Sequence, residues 1–125
     1  MINNEFMKGF ENEGQVYIYT NADPASGMLI WEGYFELLLS ACFTSNFKKG
    51  GFLECYYSRN GFYDEPKWRL QNIFVAISEL NQYDENNSEI QTANVGAETT
   101  KLKNTLLFFL EKAYNNGQKV YVDYN

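Results

Sequence analysis

Between Glu32 and Phe47 polar side chains recur at every fourth position, at Glu32, Glu36, Ser40 and Thr44. On a helix these four form one narrow stripe. Tyr34, Phe35, Leu37, Leu38, Leu39, Ala41, Cys42 and Phe43 fill nearly all the remaining positions. A helix with so thin a polar stripe has to be buried around most of its circumference. The rest of the chain must therefore supply elements that cover it. The spacing predicts a helix over 32–47, with Gly50-Gly51 as its stop.

The neighbouring segments supply cover of two kinds. Gln15 to Thr20 alternates, with Val16 and Ile18 on one face and Tyr17 and Tyr19 on the other, as a strand does. Asn21 to Gly27, with Asp23-Pro24, reads as a loop. Phe52 to Tyr57 and Phe62-Tyr63 are aromatic-rich and flank Ser58-Arg59-Asn60-Gly61; Asn-Gly favours a type I′ turn, so the stretch reads as a hairpin. Asp64-Glu65-Pro66 opens a second helix, with Asp64 as its cap and Pro in the first turn. Leu70, Ile73, Phe74, Ile77 and Leu80 form its core stripe, and Arg69, Asn72, Glu79 and Tyr83 its other side. Residues 86–96 are polar and loop-like. Thr99 to Asn116 is a third helix with Leu102, Leu106, Phe109, Leu110 and Ala113 inward, ended by Asn116-Gly117. Lys119 to Asp123 alternates as a last strand. The expected fold is α+β: about three helices packed on a small, mainly antiparallel sheet.

At 125 residues and 45% hydrophobic content, with no repeat or linker, the chain reads as a single domain over 1–125. Aromatic residues make up 18%, with ten Tyr and ten Phe. Tyrosine suits cores and recognition surfaces alike. Cys42 and Cys55 are too few and too far apart for a zinc knuckle or a redox pair, and read as small buried hydrophobes. A disulfide between them is geometrically possible, but nothing marks the chain as secreted. The start, Met1-Ile2-Asn3-Asn4-Glu5, lacks the basic and apolar regions of a signal peptide. Leu37 to Phe43 is too short to span a bilayer. The expected location is the cytoplasm.

A net charge of −6 disfavours nucleic acid and anionic membranes and favours a basic partner. With no histidine in the chain, the commonest general base and metal ligand are missing. No phosphate-binding glycine loop is present. Glu32 and Glu36 share a helix face, and paired acids serve glycoside hydrolysis or divalent-metal binding, but that spacing is common on any solvated helix. No catalytic residue, cofactor or metal site is therefore assigned, and the chain reads as a binding protein rather than an enzyme.

The acids are unevenly spread. Residues 70–98 hold Glu79, Asp84, Glu85, Glu89 and Glu98 with no Lys or Arg, a local charge of −5. Acids near a helix C-terminus oppose its dipole at ~0.3–1 kcal/mol each. Glu79, Asp84 and Glu85 thus sit where local stability would not place them, which flags a partner face; the plainer reading is a charged surface kept for solubility. Tyr83 and Tyr114 lie near helix ends, where they either join an interface or cover the core edge. The candidate partner-binding residues are Glu79, Tyr83, Asp84, Glu85 and Glu89, with Glu32 and Glu36 as a second group.

Small size, acidity, aromatic richness and the missing catalytic set resemble, in general character, bacterial immunity proteins that neutralise toxins of contact-dependent inhibition and related polymorphic toxin systems. No family motif carries the likeness, and no residue role is transferred from it. The resemblance implies a tight one-to-one complex of a monomer with one cognate toxin domain, often a basic nuclease, whose active site is blocked. The physical counterpart is acids that mimic substrate phosphates, tyrosines at the interface centre, and charge steering. The alternatives are a phage-borne inhibitor of a host nuclease defence complex, a small carboxylate-dependent enzyme acting on sugar, and a subunit of a larger assembly.

Overall fold

The computed structural model describes residues 1–58 and 68–124. Among them, five strands form one sheet: β1 (Asn3–Phe6), β2 (Gln15–Thr20), β3 (Met28–Trp31), β4 (Trp68–Arg69) and β5 (Val120–Tyr124). The order is β1-β3-β2-β5-β4. β1 runs parallel to β3, and every other pairing is antiparallel. Five helices accompany the sheet: α1 (Glu32–Cys42), α2 (Phe52–Ser58), α3 (Ile73–Leu80), α4 (Ser88–Ala93) and α5 (Gly96–Asn115). The fold is α+β with a mixed, mostly antiparallel sheet.

The alternation at 15–20 makes β2 the central strand. Val16 and Ile18 point inward with Met28 and Ile30 of β3 and with Val120 and Val122 of β5. They share one core with Phe35, Leu38 and Leu39 of α1 and Leu102, Leu106 and Leu110 of α5. The opposite set stays half-buried: Tyr17, Tyr19 and Tyr121 stack in a row with centroids 5.2 and 5.6 Å apart.

α1 is buried as its thin polar stripe requires, but it stops at Cys42, well short of Phe47. Phe43 is extended, with its N–H turned back to the Ser40 carbonyl. The Ala41 carbonyl accepts from the Asp84 backbone N–H at 2.9 Å, so a distant loop satisfies the helix end.

The strand expected at 52–57, the first arm of the hairpin, is instead helix α2. Phe52 and Leu53 are buried and Tyr56 packs beside them, an i, i+1, i+4 face. Its amides are capped from elsewhere: Phe52 N–H donates to Glu79 Oε1 at 2.8 Å and Leu53 N–H to the same oxygen at 3.4 Å. Gly50-Gly51 forms the turn into α2 rather than the stop of α1, and Gly50 N–H donates to Glu54. The expected partner strand Phe62-Tyr63 and the expected cap Asp64-Glu65-Pro66 lie outside the described residues.

The second helix begins at Ile73, after Trp68 and Arg69 have paired with Val122 and Tyr121 of β5. Asn72, expected on the helix's outer side, is its cap and accepts from Val75 N–H at 3.2 Å. The inward face is also rotated. Val75, Ala76, Glu79 and Leu80 are buried, while Phe74 is 58% exposed. The stretch expected as a loop at 86–96 contains α4, capped by Asn87, stopped by Asn94 at φ 58°, and anchored by buried Ile90. α5 matches its expected stripe, except that Thr99 is buried and Phe109 only partly so.

The α2–α3 contact depends on a missing side chain. A Cβ placed on Gly51 would fall on both carboxylate oxygens of Glu79. Its φ lies outside the left-handed region, so the constraint is steric. Gly51→Ala is expected to lower the unfolding free energy by about 1–3 kcal/mol in a urea titration. Gly96→Ala, where the new Cβ would meet Ile90 at an ordinary 3.6 Å, is expected to be neutral or stabilising.

Candidate functional site

Three helices and one strand end meet around an open groove of about 460 Å³. α1 contributes Glu36 and Ser40, one helical turn apart on the stripe seen in the sequence. α2 contributes Tyr56 and Tyr57, α4 contributes Glu89, and Trp31 closes the β3 end. Ser40 Oγ donates to Glu89 Oε2 at 2.6 Å, which ties α1 to α4 across the groove floor. Asn87 accepts from Glu89 N–H at 2.9 Å, so Glu89 sits in the first turn of α4, where the helix dipole favours an acid.

The aromatic wall continues beyond the groove. Tyr57 packs on Tyr56 at 5.0 Å and on Phe43 at 4.7 Å, and Phe43 meets Phe47 at 6.0 Å. Phe43 is 46% and Tyr57 40% exposed. Large side chains left to water in one contiguous patch mark contact surfaces more often than solitary ones do. Burial, then the Glu89 carboxylate, raise the Tyr57 phenol above its ordinary pKa. The phenol therefore stays a neutral hydrogen-bonding group.

The structure brings only part of the expected set together. Glu36 and Glu89 line the groove. Glu32 begins α1 and does not line it. Tyr83 turns to α5: its hydroxyl lies 3.1 Å from Thr100 Oγ1, and Lys103 Nζ sits 5.8 Å from its ring centre. Asp84 and Glu85 are exposed in the α3–α4 connection, where Asp84 accepts from Asn86 N–H at 3.0 Å. Tyr114 is exposed against Phe74. Tyr56, Tyr57, Phe43 and Phe47 were not expected as site residues. The signal for the tyrosines was the spacing Phe52, Leu53, Tyr56, Tyr57, which is helical rather than alternating.

Glu79 departs furthest from its expected role. It is 4% exposed and points inward, so it cannot present a charge to a partner. Oε1 takes the two α2 amides, while Oε2 is buried with no hydrogen bond among the described residues. Burial outweighs the two amides and pushes its pKa up to about 7. Cys42 nearby is a buried thiol pushed up to about 12, again chiefly by burial.

A second cavity of about 420 Å³ lies between the β2–β3 connection and α5, lined by Asp23, Ser26, Thr105, Phe108 and Lys112 among others. Its charges are mixed and it lacks paired acids beside an aromatic wall. Among the described residues, no three side chains of the Cys, Asp and Glu type gather to hold a metal ion, and no helix is long and apolar enough to cross a membrane.

A carboxyl whose pKa is higher folded than unfolded holds its proton more tightly in the folded chain. Its stabilising contribution is complete below the unfolded value of 4.5 and is lost as pH rises through about 7. Glu79→Gln removes that dependence. The stability of the variant relative to wild type is expected to rise by at most about 2–3 kcal/mol between about pH 4.5 and pH 7.5, read from urea midpoints. No family model, curated protein or solved structure matches this chain.

Proposed function

We propose that this chain is an inhibitor of the immunity type, which takes a basic protein partner, a cognate toxin domain, into the groove between α1, α2 and α4. The observation that carries this reading is the meeting of Glu36 and Glu89 with Tyr56 and Tyr57 in one open groove, continued by the exposed ring of Phe43. Acids flanked by rigid aromatic area suit an Arg- or Lys-bearing surface: the rings supply buried area and cation–π contact, and the carboxylates supply steering. The proposed complex is one-to-one and forms in the cytoplasm. Blockade of the partner's active site needs no chemistry from this chain, in keeping with a sequence without histidine.

The groove also relocates the partner face. Asp84 and Glu85, exposed in the α3–α4 connection and outside the groove, serve as steering charges, and the contact residues are Glu89, Tyr57 and Phe43. The product of the neighbouring reading frame, purified as the isolated domain, is the partner to titrate calorimetrically at two salt concentrations. The double variant Tyr57→Ala, Glu89→Lys is expected to weaken binding roughly 100-fold or more. Asp84→Lys with Glu85→Lys is expected to act mainly on the association rate and to lose its effect at high salt. No binding by that product sinks the immunity reading; full affinity in the Tyr57, Glu89 variant sinks the groove.

A further inference from the structure

α2 is only seven residues long, too short to hold itself together, and its first amides have no partner within the helix. Glu79 on α3 supplies that partner through Oε1. Gly51 beneath it leaves no room for a side chain, so the carboxyl is seated in one place. Its other oxygen, Oε2, is buried and accepts nothing among the described residues. The same helix carries Tyr56 and Tyr57 into the groove.

We propose that Glu79 is a proton-operated latch on α2. With the carboxyl protonated, α2 is seated and holds the tyrosine wall of the groove in place; with the carboxyl charged, the start of α2 loosens and the wall with it. The neutral carboxyl still accepts the two amides at Oε1 and carries its proton on Oε2. The anion leaves a charged oxygen in the interior without a donor, which is costly until water reaches it. The route for water is a small pocket of about 100 Å³ beside Glu79, lined by Thr44, Asn46, Lys48, Ser78 and Gln82 among others. Hydrating the anion through it requires α2 and the α1–α2 connection to part from α3.

The surrounding charges are mixed, and burial is the main reason the carboxyl keeps its proton. On α2, Glu54 opposes a second negative charge. On α1, Cys42 faces Glu79 but stays a neutral thiol, and Lys103 on α5 acts on that thiol. On the α1–α2 connection, Lys48 lines the small pocket. The carboxyl's displacement to about 7 places the transition near neutrality.

The test is amide hydrogen exchange by NMR on the full chain from about pH 5.5 to pH 8.5, corrected for intrinsic exchange rates. Protection over 52–57 is expected to fall about tenfold or more through neutrality, while Leu106 and Leu110 in α5 keep theirs. Glu79→Gln is expected to abolish the fall, and Glu54→Gln to move its midpoint to lower pH. Constant α2 protection in the wild type overturns the latch, as does a fall that α5 shares. Should Glu79→Gln not fold, the wild-type and Glu54→Gln series decide alone. The effect on partner binding rests on the groove reading, whereas the latch does not. A latch that opens while partner affinity stays constant supports the latch and counts against the groove.

Discussion

Glu79 settles how α2 meets the rest of the molecule, and it does so at a cost. An apolar side chain at that position would avoid the desolvation of a carboxyl. It would also strand the amides of Phe52 and Leu53 in the interior, at about 1–3 kcal/mol for each buried group left unpaired. The carboxyl removes that penalty and introduces its own, which is why its pKa rises even though two N–H groups point at it. The two costs are of similar size, so little net stability comes from the exchange. What comes from it is position. The body of α2 is held by Phe52 and Leu53 in the core, and its first amides are set by one oxygen on another helix and by the absence of a side chain at Gly51.

That dependence explains which parts of the fold are legible in the sequence. β2, β5, α5 and the body of α1 follow from local periodicity, because each buries a face that repeats at 2 or 3.6 residues. α2 does not, because the aromatic-rich run from Phe52 to Tyr57 fits a strand by propensity and a helix only once Glu79 caps it. Glu79 itself misleads, since a carboxylate on a helix belongs by default on the wet side. With Glu79 assigned outward, the inward face of α3 turns toward Phe74, which is in fact exposed. β1, β3 and β4 span four, four and two residues, too short for alternation to stand out.

The candidate site was legible in halves. Glu36 came from the stripe on α1 and Glu89 from the acidic stretch at 70–98. Their meeting depends on the packing of α4 against α1, fixed by the bond from Ser40 to Glu89, and no sequence spacing encodes that pair. The dipole argument, in turn, loses most of its force. α3 ends at Leu80, before Asp84 and Glu85 are reached, and Glu89 sits at a helix start, where an acid stabilises.

The charge that a partner would feel is therefore less than the count of acids suggests. Of the five acids in 70–98, Glu79 faces inward and is about half protonated near neutrality. Asp84 and Glu85 stand in open water, where screening shortens their reach to about 10 Å in ordinary salt. Glu36 and Glu89 differ because they share a groove with tyrosine and tryptophan rings. A protein wall responds less to a charge than water does, so the field of a carboxylate beside it reaches further into the groove. The two carboxylates are placed by α1 and α4, which the bond from Ser40 to Glu89 ties together, and the tyrosines beside them by α2, whose first amides Glu79 caps. The aromatic excess and the acidity, separate features of the composition, meet in this groove, beside a helix capped by a carboxyl that contributes almost no surface of its own.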